Sequence, residues 1–236
     1  MVRLGILSIG QAPHPTLADG FGALLPDVQL VQHGVLDGLT LAEIEALAPA
    51  APGENVLTTD LPSGTTVVVA EHHVVDRLPA AVAALEEHAD VTFLACTGEF
   101  APIPHRKPFF TPHELLSGGT LALAGRADVL GVLCPLPEQA EFARQKYQAL
   151  VRPGVRVVVA DASPYTSGPA DVTAAAARLR AAGAGIVALD CMGYDDSTRA
   201  LVTQEVGVPV VVARTVAARL MAEVLDSYRS VLGVPA

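Results

Sequence analysis

From residue 129 the pattern of the chain restarts. "LGVLCPLPEQ" (130–139) lines up with "LGILSIGQAP" (4–13), and "IVALDCMGYD" (186–195) lines up with "VTFLACTGEF" (91–100). Each member of the second pair is a short apolar run that delivers a cysteine and, two positions on, a glycine. Such a repeat constrains the fold before composition is considered. Whatever one half forms the other must form too, and a unit of about 100 residues is long enough to own a core.

Within each half, apolar strand-like runs alternate with helical stretches. The first half carries strand signals at 2–10, 28–36, 90–98 and 107–112. "NVLTTDLPSGTTVVVA" (55–70) reads as a hairpin around Pro62, Ser63 and Gly64. Thr40 caps the helix "LAEIEALA", with Glu43 completing a capping box. The stretch 73–89 is helical, and its Pro79 either kinks one helix or begins a second part. The second half runs strand 128–137, helix 137–151 with proline in its first turn, strand 155–165, helix 169–184, strand 185–193, helix 197–207, strand 208–214 and helix 215–232.

This alternation predicts parallel sheets built from right-handed βαβ units. The expected fold class is α/β, as two pseudo-symmetric flavodoxin-like halves whose parallel sheets face a central cleft. The expected division is 1–124 for the N-terminal half, completed by the C-terminal helix 214–236, and 125–213 for the second half. The changeover falls near "SGGTLALAGRAD" (117–128), and no Gly/Ser-rich linker separates the halves.

Composition agrees. Hydrophobic residues are 51% of the chain, aromatics only 4%, and tryptophan is absent. The core must therefore be Val, Leu, Ile and Ala, which suits parallel strands apolar on both faces under Ala-rich helices. The net charge is −10, and no basic cluster exceeds "HRK" at 105–107. That excludes a nucleic-acid partner, and any anionic substrate must be met by a local pocket against the net field. The apolar runs fall short of the ~20 residues needed to span a bilayer, and the opening lacks the features of a signal peptide. Three cysteines without CxxC or Cys/His ligand spacing read as free thiols in a reducing cytoplasm. All seven histidines precede residue 114, but His72 and His73 are adjacent and do not share a helix face. With neither GxGxxG nor a Walker sequence, the expectation is no metal and no cofactor.

In parallel sheets ligands bind beyond the carboxyl ends of the strands. Facing halves would bring Cys96 and Cys191 to opposite sides of one cleft, where a thiolate takes a proton from carbon and a thiol returns one. A cofactor-independent racemase requires that pairing. An ordinary cysteine has a pKa near 8.5, and N–H groups where "CTGEF" and "CMGYDD" leave their strands would favour the thiolate. The plainer reading is that cysteine is a small, commonly buried hydrophobe. A single strand-end cysteine is more often core filler, as Cys134 reads here. Two in matching positions, each followed by X-Gly, give the catalytic reading its weight.

The other candidates follow from position. Ser8, Gly10 and Gln11 end the first strand and either line the cleft, donating to a carboxylate, or form an ordinary turn. Thr97 and Gly98, with Met192 and Gly193, would supply backbone donors for the enolate-like charge formed when an α-proton leaves. Tyr165 follows a strand of the second half and either reaches the substrate or sits on a surface loop. Asp190 points away from Cys191 along the strand and reads as a structural acceptor. "HRKPFF" reads as a charged lid or as a solvated loop.

The stretches "ILSIGQAPHP" and "ALDCMGYDDSTRALV" together resemble the AroM family along nearly the whole chain. That family is similar in layout to the aspartate/glutamate racemase superfamily, which includes hydantoin racemases, maleate isomerases and arylmalonate decarboxylases. The resemblance implies two pseudo-symmetric halves with Cys96 and Cys191 at the positions of the paired thiols, "ACTG" being similar to the first motif and "DCMG" to the second. His14 stands where the family's "IGQAPR" carries arginine; being mostly neutral near pH 7, it is a weaker anion ligand. The expectation is a cofactor-independent racemase or isomerase acting next to a carboxylate or carbonyl. Two alternatives stay open: a single-cysteine decarboxylase or cis–trans isomerase, and a non-catalytic protein that binds small carboxylates. The expected partner is a small carboxylate-bearing molecule, with no nucleic acid and no membrane, and a homodimer left open.

Overall fold

The computed structural model describes residues 1–113, 115, 118, 119, 124 and 127–233. The changeover expected near 117–128 lies mostly outside the described residues. The chain divides into two compact units, Met1–His113 with Ala217–Ala236, and Glu114–Val216.

The first unit contains β1 (Val2–Ser8), α1 (Pro15–Gly22), β2 (Val28–Gly34), α2 (Leu41–Glu45), β3 (Val56–Asp60), β4 (Thr66–Ala70), α3 (Glu71–Val75), α4 (Leu78–Glu86), β5 (Val91–Leu94) and β6 (Phe109–Phe110). Four of these strands form a parallel sheet in the order β2-β1-β5-β6, and β3 and β4 pair separately as an antiparallel hairpin. The second unit contains β7 (Val129–Cys134), a 3-10 turn (Pro137–Gln139), α5 (Ala140–Leu150), β8 (Arg156–Asp161), α6 (Pro169–Ala181), β9 (Ile186–Leu189), α7 (Asp196–Val206), β10 (Val210–Val212) and the start of α8 (Ala213–Val231). Its sheet is also parallel, in the order β8-β7-β9-β10. Both sheets thus place their strands second, first, third, fourth, the hairpin being an insertion between the second and third strands of the first unit. The fold is α/β with two similar halves.

The repeat extends to single hydrogen bonds that close the sheets. Asp90 N–H bonds Arg3 O where Gly185 N–H bonds Val129 O, and Ala95 N–H bonds Leu7 O where Asp190 N–H bonds Leu133 O. Likewise Val35 N–H to Ser8 O matches Ala162 N–H to Cys134 O, and Thr92 N–H to Pro108 O matches Val187 N–H to Pro209 O. One steric device is shared as well. A Cβ on Gly5 would lie 2.8 Å from the Ala89 Cβ, and one on Gly131 would lie 3.0 Å from the Ala184 Cβ. The central strand of each sheet carries a glycine so that an alanine can approach it closely.

Of the two readings of 73–89, the one in which Pro79 begins a second part holds: α3 and α4 are separate, and Pro79 takes the second position of α4, where its missing N–H leaves no ladder bond unmade. Sequence and structure part elsewhere. The strand expected at 107–112 shortens to Phe109–Phe110, because Pro108 and Pro112 flank it and neither can donate to a ladder. Helix α1, whose "PTLADGFG" carries two glycines, is not among the expected elements. The charges of "HRKPFF" serve as an anchor. Arg106 N–H and Lys107 N–H donate to the Glu86 carboxylate at 2.7 and 2.8 Å, Arg106 Nε donates to it at 3.1 Å, and Lys107 Nζ donates to the Glu86 and Ala89 carbonyls. No described helix is long and apolar enough to cross a membrane.

Gly5→Ala is expected to lose ~1–3 kcal/mol of stability by overpacking, and Gly131→Ala less, since its nearest contact is longer; urea unfolding midpoints measure both. Burial alone would raise the Glu86 pKa, but the N–H groups of Lys107 and Arg106 and the Arg106 guanidinium hold it below the usual carboxylate range. Its stabilisation is therefore full above an unfolded pKa of about 4.3 and is lost as pH falls through the lower folded value. Glu86→Gln should cost ~1–3 kcal/mol near pH 7, and the difference from wild type should shrink in melts recorded below pH 4.

Candidate active site: two matched thiols

Cys96 and Cys191 occupy one and the same place in their respective units. Leu94 pairs with Leu7 and Leu189 with Leu133, so each cysteine stands two residues past the last paired position of a third strand. All four residues of β5 and of β9 are buried, which pins the strand ends and hence the thiols. The glycine two positions on then turns back. Gly98 N–H donates to Cys96 Sγ at 3.4 Å, and Gly193 N–H donates to Cys191 Sγ at 3.4 Å. Both positions require glycine for space. A Cβ on Gly98 would lie 3.0 Å from the Phe100 ring and 3.4 Å from Cys96 Sγ, and one on Gly193 would lie 2.6 Å from the Tyr165 hydroxyl. The Cys-X-Gly recurrence is a backbone clamp on sulfur.

The Cys191 surroundings are polar. The Tyr165 hydroxyl lies 3.8 Å from its sulfur, placing that half-buried side chain at the thiol. Asp190 turns to the other side, accepting from Lys146 Nζ at 2.6 Å and from the Tyr147 hydroxyl at 3.2 Å. Both ion-pair side chains are almost wholly buried, an arrangement that is tolerated only when each charge keeps its partner. Burial pushes the Cys191 thiol up to about 11. The Gly193 N–H, the Tyr165 hydroxyl and the Arg214 charge pull the other way, and Asp190 adds to the rise. Cys134 is more deeply buried, faces the carbonyls of Leu136 and Ala160, and is pushed up to about 12, chiefly by burial.

The remaining candidates divide. Thr97 and Gly98 are half-buried beside Cys96, while Met192 is buried and Gly193 half-buried beside Cys191. Ser8 is buried at the end of β1, and its hydroxyl donates to the Gln11 carbonyl at 3.4 Å. Gly10 packs on the hairpin, where a Cβ would meet Thr59 at 2.8 Å. Gln11 directs its side-chain N–H groups at the Leu36 and Leu39 carbonyls, at 3.2 and 2.8 Å. These bonds hold the loop after β1 and occupy the Ser8 hydroxyl and the Gln11 amide, the two side-chain donors expected to meet a carboxylate. His14 is buried, its N–H donating to the Gln32 side chain at 2.8 Å. Among the described residues no group of three or more His, Cys, Asp or Glu is placed to hold a metal ion.

Lys146 and Arg214 escaped the sequence reading. Lys146 sits on an amphipathic helix, where a lysine reads as solvated; only its position opposite the end of β9 buries it. Arg214 follows "VPVVVA", which reads as a strand end, and it proves to be the second residue of α8, 8% exposed.

For Cys191, the rate of alkylation by iodoacetamide should keep rising through pH 9 and 10 toward a midpoint of about 11, and Asp190→Asn should move that midpoint down. A wild-type midpoint near 8.5, as for an unperturbed thiol, would contradict the assigned burial.

The fold is one that solved structures share. The chain is similar in fold to glutamate racemase from Francisella tularensis subsp. tularensis SCHU S4, at 11% identity and TM-score 0.60 over 97% of this chain and 82% of that one. It is similar to allantoin racemase from Pseudomonas fluorescens, at 16% identity and TM-score 0.55 over 99% and 92%. It is also similar to the maleate isomerase of Pseudomonas putida S16, at 16% identity and TM-score 0.54 over 95% and 93%. These likenesses establish an Asp/Glu racemase-like fold. No curated protein matches the chain. The AroM protein profile matches residues 4–225, and the chain belongs to the AroM family.

Proposed function

We propose that the protein is a cofactor-independent racemase or isomerase that moves a proton at a carbon next to a carboxylate or carbonyl, with Cys96 and Cys191 as reciprocal acid and base. The observation that carries this reading is the matched pair of thiols: each two residues past a third strand, each clamped by the N–H of the second residue on. An acid and a base related by pseudo-symmetry suit a reaction whose two directions are mirror images. The similar fold of two racemases and an isomerase supports the same class.

The two thiols differ in the residue that precedes them. The residue before Cys191 is Asp190, and the residue before Cys96 is Ala95. Burial pushes the Cys191 thiol up to about 11, so it rests as the protonated thiol at neutral pH and is ready to return a proton to carbon. The N–H groups of Thr97 and Met192 would face the enolate-like charge, those of Gly98 and Gly193 being turned on the sulfurs, and Tyr165 would bound the substrate beside Cys191. This difference also favours a second reading, single-thiol chemistry in which one cysteine suffices, as in a decarboxylation.

Proton NMR in D2O with a panel of amino acids, hydantoins and small diacids separates these readings. Loss of an α-proton signal that is abolished by Cys96→Ala and, separately, by Cys191→Ala is the expected result. Exchange or turnover that survives loss of one thiol would replace the two-thiol mechanism with the single-thiol one. No exchange across the panel, with a carboxylate that raises the melting temperature, would make the protein a binding protein instead.

A further inference from the structure

Tyr165 comes to Cys191 from the loop of another strand. β7 lies between β8 and β9, so the segment after β8 must cross the end of the central strand to bring a side chain to a thiol that follows β9. Its hydrogen bonds hold it in that course. Ser163 is buried, its Oγ accepts from Tyr165 N–H at 3.2 Å and from Thr166 N–H at 3.3 Å, and its own N–H donates to the Ser167 hydroxyl at 2.9 Å. The Tyr194 hydroxyl, from the segment after β9, donates to the Ala162 carbonyl at 2.7 Å and ties the two segments together. The Tyr165 ring then lies on Gly193, where a Cβ would stand 2.6 Å from its hydroxyl, 2.7 Å from Cζ and 2.8 Å from Cε1. That hydroxyl lies 3.8 Å from Cys191 Sγ, which the Gly193 N–H meets at 3.4 Å.

The first unit offers no such side chain from the corresponding loop. Val35 N–H to Ser8 O matches Ala162 N–H to Cys134 O. Three residues on from these bonds stand Gly38 in the first unit and Tyr165 in the second. The phenol is thus an addition to the shared scaffold, made at sulfur. A thiol and a phenol can each donate to the other, but a thiolate has no proton left, and the phenol is then the donor. A buried anion is costly without donors around it. The Gly193 N–H is one, and the Tyr165 hydroxyl is placed to be the second.

We infer that Tyr165 is a catalytic residue of the second half-site, whose hydroxyl donates to the Cys191 sulfur and stabilises the thiolate left when Cys191 gives its proton to carbon. The inference rests on the reading that Cys191 exchanges a proton with substrate. In that step the S–H bond breaks, a C–H bond forms and sulfur keeps the electron pair. The phenol retains its own proton, and its hydrogen bond strengthens as charge collects on sulfur. In the return step the same bond keeps the thiolate available as a base.

The test is alkylation by iodoacetamide near pH 8, below the Cys191 midpoint of about 11, followed peptide by peptide by mass spectrometry. Tyr165→Phe keeps the ring against Gly193 and removes only the hydroxyl. The thiolate population of Cys191 should fall about tenfold and its rate about threefold, because a more basic thiolate attacks faster. The rate at Cys96 in the same samples should not change. A phenol that merely covered the sulfur would, on losing its oxygen, leave the Cys191 rate unchanged or raise it, and either result overturns the inference. Should Tyr165→Phe fail to fold, 3-fluorotyrosine placed at position 165 decides. It has nearly the same shape and a more acidic phenol, hence a stronger donor while it stays protonated at pH 7, and Cys191 should react faster there than in the wild type. A rate equal to or below wild type overturns the inference. A Cys191 that iodoacetamide never reaches overturns it too, because a thiol closed to a small reagent exchanges no proton with a small substrate. Alkylation needs no turnover. Absent D2O exchange strikes the proposed reaction, an unchanged rate in Tyr165→Phe strikes the role of the phenol, and the two failures are read apart.

Discussion

Two central strands, β1 and β7, hold the rest in register. Each is paired in parallel on both sides, and each is apolar along almost its whole length because both of its faces are covered. The ladder they impose sets the level at which every neighbouring strand ends. Since β5 ends level with Leu7 and β9 level with Leu133, the residues after them leave the sheet at a defined height. Gly5 and Gly131 make the same point from the side: the central strand surrenders a side chain so that Ala89 or Ala184 can lie against it.

The two thiols are placed by strand termination. The Cys-X-Gly segments add little regular structure of their own, yet each bends its backbone so that one N–H meets sulfur. The same geometry would be available to a core cysteine. What separates these two thiols from Cys134 is the company they keep. Cys134 lies within its strand and faces backbone carbonyls, whereas Cys191 stands past its strand beside a phenol and within the field of a buried guanidinium.

The two units also differ in a way that pseudo-symmetry hides. Asp190 in the second corresponds to Ala95 in the first, since both donate their N–H to the matching carbonyl of the central strand. Asp190 brings Lys146 and Tyr147 with it into the core, and the cost of desolvating that ion pair is offset by its short contacts. A duplicated scaffold can thus keep its backbone while setting a buried ion pair next to the thiol of one half.

Much of this was legible in the residues. The β-α alternation, the restart at 129 and the paired Cys-X-Gly runs are local or periodic signals, and short-range sterics and burial translate them directly into strands and turns. Gln11 shows where such reasoning stops: its residue type suits a ligand, but its neighbours Leu36 and Leu39 come from a loop that only the folded chain brings near. The same holds for Lys146 with Asp190, and for Arg106 and Lys107 with Glu86. The sequence by itself determined the layers, the repeat and the identity of the thiols, because these follow from apolar periodicity. Tertiary structure decided which charges are buried and against what, because a long polar side chain goes wherever a partner distant in sequence can replace the water it loses.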